Sequence, residues 1–195
     1  MLAVIALAAP AGADPDRHDA DLVDVTGVIP DAVLDIRYAT KNNFTGEVLY
    51  PKAACKLRRA VAARLAKAAA TLRKQERRLV LWDCYRPASI QKLLWQRVPD
   101  PRYVADPKQG SRHNRGAAVD VALVDKAGKA VVLPTKFDEF SKAAHRDRAL
   151  VGANGAEARR LDDAMTAAGF VGMPTEWWHF DAPDSASYAL ADEPL

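Results

Sequence analysis

A histidine and an aspartate seven residues apart, in Ser111-Arg-His113-Asn-Arg-Gly116-Ala-Ala-Val-Asp120, are of types that can share a metal ion. On one extended strand they would lie ~23 Å apart at ~3.3 Å per residue and face opposite sides, so shared coordination requires a bend. Gly116 supplies a place for it. Asp120 also interrupts an otherwise apolar stretch, where a carboxylate is costly unless it is paired or bound to metal. The alternative is a surface aspartate on a half-exposed strand. A second cluster, Glu176-Trp-Trp-His179, adds another imidazole and a carboxylate three residues before it. Zinc hydrolases use three protein ligands and an open position for water, whose pKa falls to ~7, with an unligated carboxylate beside it to take the proton. His113, Asp120 and His179 fit as the ligands and Glu176 as the base. An E-x-x-H pair alone is weak, since Trp177, Trp178 and Phe180 can equally be core, and the conjunction of the two clusters carries the reading. Arg86, in Tyr85-Arg86-Pro87, can point into the same cleft and stabilise an oxyanion, worth ~3 to 4 kcal/mol; the rival reading pairs it with Asp83 or a backbone carbonyl. His18 and His145 read as leader and helix-end histidines and are left out of the site.

The elements that must position these residues are legible to different degrees. Leu57, Ala60, Val61, Leu65, Ala68, Ala69 and Leu72 recur at spacings of three and four, which predicts a helix over Lys56–Gln75. Leu79–Tyr85 reads as a buried strand that delivers Arg86 to a sheet edge before Pro87 stops it. Ser89–Arg97 reads as a second helix, Pro99–Gly110 as loop, and Ala117–Val124 as a strand, with Val131–Leu133 returning beside it after the turn at Lys126-Ala-Gly128. Phe137–His145 and Glu157–Ala168 read as helices, the latter capped by Gly169. Val25–Tyr50 alternates short apolar pieces with turn formers, and Phe170 onward returns to strand-like composition. Without a regular βαβ rhythm or a repeat, the expected fold is α+β, a single domain with a mainly antiparallel central sheet flanked by helices and the zinc site in a cleft at the sheet.

Composition bounds the partners. The formal charge of +3 comes from 28 basic and 25 acidic residues scattered in alternating signs, so no tract points to nucleic acid or a membrane surface. Residues 1–13 form an apolar run closed by the small residues Ala11 and Ala13, the composition expected of a signal peptide without its basic start. No other stretch approaches the ~20 apolar residues of a membrane span. Residues 14–24 are acidic and aperiodic and are expected to be a mobile leader, with the catalytic domain over 25–195. In an exported chain the compartment is periplasmic or extracellular, and Cys55 and Cys84 can pair; two buried free thiols are the alternative. If the apolar segment is not a signal, the chain is cytoplasmic. The sequence does not set the oligomeric state.

Taken together these segments resemble the D-alanyl-D-alanine dipeptidases, a family of zinc D-Ala-D-Ala peptidases. The likeness runs from Arg37-Tyr-Ala-Thr40 and Asn43-Phe-Thr-Gly46 through Leu81-Trp-Asp-Cys-Tyr-Arg-Pro87, Ser111–Gly116, Phe137-Asp138 and Glu176–His179 to Asp192-Glu-Pro194. It implies zinc on His113, Asp120 and His179, Glu176 as general base and then acid, and Arg86 at the tetrahedral intermediate. It further implies that Tyr38, Ser111 and Asp138 form a small closed pocket, with Asp138 meeting the free amine of a small D,D-dipeptide. An acylated amine would leave that carboxylate unpaired. Cys84 stands where the family usually has a small residue, and a bridge to Cys55 would brace Arg86. Two other readings keep the metal site: a zinc DD-carboxypeptidase or peptidoglycan endopeptidase, and a catalytically silent zinc-containing cell-wall binding domain, which Glu176 argues against.

Overall fold

A computed structural model describes residues 19–195. The apolar segment 1–13, the first part of the leader and His18 lie outside the described residues. Two sheets organise the described residues. A small one pairs β1 (Leu22–Asp24) antiparallel with β3 (Lys56–Arg58). The main one has five strands in the order β2-β4-β5-β7-β6: β2 (Val33–Leu34), β4 (Arg77–Asp83), β5 (Ala118–Asp125), β7 (His179–Asp181) and β6 (Val171–Gly172). Only the β2–β4 pair is parallel, so the sheet is mainly antiparallel as expected.

The central strands explain the apolar runs in the sequence. Leu79–Asp83 and Ala118–Val124 are buried on both faces, which requires near-continuous apolar residues rather than alternation. Helix α1 (Arg59–Lys74) turns Val61, Ala62, Leu65, Ala68, Ala69 and Leu72 into the core and ends with Arg73 and Lys74 in its last turn, where positive charge complements the helix dipole. It packs against β4 and against α4 (Ala156–Ala167), which buries Ala158, Leu161, Ala164 and Met165. Gly169 follows α4 at φ 89°, the left-handed stop expected of it. Helix α2 (Ala88–Arg97) follows β4 directly, and the four-residue α3 (Arg146–Ala149) precedes α4.

Several sequence expectations need correction. The chain is not all leader up to Asp24, because Leu22–Asp24 pairs with Lys56–Arg58. That pairing takes the first three residues from the expected 56–75 helix: Leu57 is buried as a strand residue, and the helix starts at Arg59. Val131–Leu133 is not a strand. After a single bridge between Val124 and Ala130, the chain leaves β5 and Val132 is 65% exposed. Phe137–His145 is not a helix either. It opens with a turn at Asp138, φ 55°, and holds only a short 3-10 turn at Lys142–Ala144. Tertiary contacts override helix propensity here. Phe137 packs on Tyr38 and Trp82 while Phe140 packs on Phe44 and Tyr103, and the left-handed Asp138 between them interrupts any helix.

Candidate metal centre and catalytic cleft

Strand register brings the candidate residues together. Asp83 stands opposite Asp120 and Asp120 opposite His179, so the three form one row across β4, β5 and β7. The row depends on an irregularity: Leu81 pairs with Val121 but Asp83 with Asp120, leaving Trp82 as an extra residue. Such bulges re-aim side chains next to functional sites. His113 joins from a loop. The 3-10 turn His113–Arg115 ends at Gly116, φ 65°, where the bend expected between His113 and Asp120 occurs. A side chain there would collide with Leu22, whose Cδ2 lies 2.5 Å from the position of a Cβ. The loop closes on itself through Asn114, whose Oδ1 accepts from Ser111 N and whose Nδ2 donates to Arg86 O.

His113, Asp120 and His179 are all buried and converge on one point. His113 Nε2 lies 3.2 Å from His179 Nδ1 and 3.4 Å from Asp120 Oδ1, and His179 Nδ1 lies 2.9 Å from that oxygen. Ligands ~2.0 to 2.2 Å from a tetrahedral ion stand ~3.3 to 3.5 Å apart, so the two nitrogens and one oxygen need little adjustment to hold a metal. The outer nitrogens fix the tautomers: His113 Nδ1 donates to the Cys84 carbonyl at 2.7 Å, and His179 Nε2 faces Asp181 Oδ1 at 3.0 Å. These outer contacts orient the rings so that His113 Nε2 and His179 Nδ1 are the nitrogens that would meet a metal. Burial opposes charge on His179, but Asp120 and Asp181 outweigh it and push its pKa up to about 10 in the absence of a cation. Burial likewise works against the Asp120 charge, and the two histidines still hold that carboxyl below its usual range.

Around this centre lies a small cleft of about 80 Å³. Glu176 reaches it from the turn before β7, with Oε2 3.9 Å from His179 Nδ1 and the side chain 20% exposed. Burial raises its pKa, and the Asp120 charge adds to the rise against the opposing pull of His179. Arg86 lines the cleft too, and it is also paired with Asp83, the rival reading of the sequence. Asp83 Oδ2 accepts from Arg86 Nε at 3.0 Å and Nη2 at 2.6 Å, while Gln91 accepts from Nη1 at 2.7 Å. Asp83 Oδ1 is taken by Tyr50 and by Cys84 N. A guanidinium held on three sides is aimed rather than neutralised. Tyr38 lies under it, ring centroid 5.1 Å from Cζ, and donates to Asp138 Oδ2 at 3.1 Å. Asp138 also accepts from Phe44 N, and burial, with Asp120 and Glu176 nearby, keeps its carboxyl well above the usual range. Ser111 sits on the cleft wall, and its Oγ accepts from His113 N.

Cys55 and Cys84 are joined in a disulfide, both nearly unexposed. His145 lies in an outer groove, away from the ligands. The sequence reading missed Gln91 and the Asp181 contact to His179. Asp181 had a signal, being two residues beyond His179 on one strand and so on the same face. Gln91 had none, because its contact to Arg86 depends on how the chain turns at Pro87 into α2. No helix among the described residues is long and apolar enough to cross a membrane.

Comparison with known proteins agrees with this geometry. Residues 18–193 match the family described as D-ala-D-ala dipeptidase. The chain is 39% identical over 171 residues to the D-alanyl-D-alanine dipeptidase of Escherichia coli (strain K12), covering 87% of this chain and 89% of that protein. It is 30% identical to the D-alanyl-D-alanine dipeptidase of Enterococcus faecium, with 82% and 86% covered. The protein of the same name from Streptomyces coelicolor is 32% identical over the same shares.

Proposed function

The chain belongs to the D-ala-D-ala dipeptidase family, and from that premise we propose that it hydrolyses the free dipeptide D-alanyl-D-alanine to two D-alanines. The carrying observation is the convergence of His113, Asp120 and His179 in one cleft with an unligated carboxylate, Glu176, and a fixed cation, Arg86. Two neutral imidazoles and one carboxylate are a donor set that suits zinc, which when bound supplies a water of pKa ~7 and a Lewis acid for the carbonyl. Glu176 takes the proton of the attacking water and returns it to the leaving amine; its raised pKa brings it toward the pH at which one group can do both. Arg86 faces the oxygen that gains charge as the carbonyl becomes tetrahedral, and cannot lose its own proton to it.

Asp138 and Tyr38 read the free ammonium, with Ser111 completing the polar wall. An N-acylated substrate offers Asp138 no charge, so the pocket selects the free dipeptide over a stem peptide. We also assign the chain to an exported, oxidising compartment, supported by the apolar segment 1–13 and the Cys55–Cys84 bridge. N-terminal sequencing of mature protein from the source cell should begin near Asp14; a start at Met1 would count against export.

One assay tests the activity. Purified protein, as prepared and after chelation, is given free and N-acetylated D-Ala-D-Ala. Release of alanine from the free dipeptide alone, abolished by chelator and restored by zinc, is expected. Equal rates on both substrates would instead make it a DD-carboxypeptidase.

A further inference from the structure

The turn that carries Glu176 and His179 is closed within itself by one backbone hydrogen bond of ordinary length, from Met173 N to His179 O at 3.1 Å. Within it, Glu176 N reaches Met173 O only at 3.4 Å and His179 N reaches Glu176 O only at 3.4 Å, both long for hydrogen bonds. Its carbonyl oxygens converge instead on one guanidinium. Arg146 Nε donates to Met173 O at 3.2 Å, and Nη2 is shared among the carbonyls of Glu176 at 3.3 Å, Trp177 at 3.2 Å and His179 at 3.0 Å. The backbone N–H of Arg146 donates to Pro174 O at 2.9 Å. Its Nη1 is held by Asp162 on α4, and its Cζ lies 4.5 Å from the centre of the Phe180 ring. The side chain is only 15% exposed.

Gly172 gives this guanidinium its room. A Cβ at that position would stand 2.2 Å from Arg146 Cζ. Gly172 does not have a left-handed backbone, so space rather than conformation is what calls for glycine. A cation bound to four backbone carbonyls within seven residues, with the Arg146 N–H on a fifth, fixes the turn whatever side chains it carries, and this turn carries the base and one candidate ligand.

We infer that Arg146 is the positioning residue of the Glu176–His179 turn, setting where Glu176 and His179 stand relative to each other, and that Gly172 exists to admit it. For the reaction this rests on the proposed dipeptidase activity; for the metal centre it stands on geometry alone. Displacement of a reacting group by ~1 Å typically costs ~10²-fold in rate, and loss of a group that orients a ligand ~10 to 100-fold in metal affinity.

The test uses the full chain with Arg146→Met, Arg146→Lys and Gly172→Ala, each measured for zinc affinity by competition with a chromophoric chelator, for kcat and KM on D-Ala-D-Ala, and for melting temperature without metal. Arg146→Met should bind zinc at least ~10-fold more weakly and lose ~10²-fold in kcat with KM within about threefold, while Arg146→Lys recovers part of both. Gly172→Ala, which keeps the arginine but displaces it, should show the same signature and serves if Arg146→Met does not fold. Zinc affinity and kcat within twofold of the parent in the folded variants would overturn the inference, as would losses that merely track the fraction unfolded. If the parent protein itself fails on D-Ala-D-Ala, the activity proposal falls while the zinc-affinity ratio still decides the role of Arg146.

Discussion

At the scale of single residues, three side chains have separable jobs. Glu176→Gln keeps the shape of the cleft and removes the base, so zinc content should stay at the parent level while kcat falls by ~10² to 10⁴-fold; retained turnover would mean another group takes the proton. Arg86 has a double consequence because Asp83 is fully buried against it. Arg86→Met should lower kcat by ~10² to 10³-fold and destabilise the fold by about 3 to 5 kcal/mol, since it leaves a buried carboxylate without its cation. Urea melts and kinetics on the same preparations separate the two effects, and Arg86→Lys should keep more stability than activity because it keeps charge without the fork. Asp138 gives the pH signature. Its carboxyl is raised in the folded chain, so its contribution to stability is full below the unfolded value of ~4 and is lost as pH climbs through the folded one. Asp138→Asn should therefore melt with the parent near about pH 4 and above it near about pH 8, while losing its preference for the free over the acylated dipeptide. Asparagine also tolerates the left-handed backbone at this position. A melting temperature below the parent at the higher pH would sink this reading.

At the scale of elements, the sequence was most legible where one segment carried its own signal. The three-and-four spacing of Val61, Leu65, Ala68 and Leu72 located α1, and the apolar runs located β4 and β5, because each pattern answers to a local period. The metal residues were legible because histidines and carboxylates in apolar surroundings need a reason. What could not be read were pairings whose partner is remote. Lys56–Arg58 is helical by pattern and a strand by virtue of Leu22–Asp24, and Phe137–Phe140 bends among rings from three remote segments. Arg146 was invisible for a simpler reason: it reads carbonyls, which every sequence has. The Cys55–Cys84 bridge is an element-scale device, tying the entry of β3 to the exit of β4, where the Cys84 carbonyl orients His113 and its N–H holds Asp83. Closing a separation of 29 residues is worth about 3 to 4 kcal/mol on chain entropy. Cys55→Ser with Cys84→Ser should lower the urea midpoint accordingly and weaken zinc binding. In the parent, both thiols should become alkylatable with reductant only once denaturant is added. Ready alkylation of the reduced, undenatured protein would contradict a buried bridge.

At the scale of the whole molecule, the site is assembled from segments that span most of the chain, from Tyr38 to His179, around one continuous core. Chelation should accordingly reach beyond the cleft. A cation bound only by the folded chain stabilises it by RT ln(1 + [L]/Kd), about 4 kcal/mol at a thousandfold excess over Kd, so melting temperature should rise with free zinc and fall on chelation. Calorimetry across a zinc series measures this, and a midpoint indifferent to zinc would argue against the centre. The row of Asp83, Asp120 and His179 across three strands adds a further consequence. A slip of one residue between β5 and either neighbour would turn a side chain of that row to the opposite face, yet leave the strands paired and the circular dichroism nearly unchanged. Such a mispaired molecule would be compact, spectroscopically ordinary and unable to bind the ion. Bound metal per chain in a refolded sample is thus a count of molecules whose strands found their correct partners.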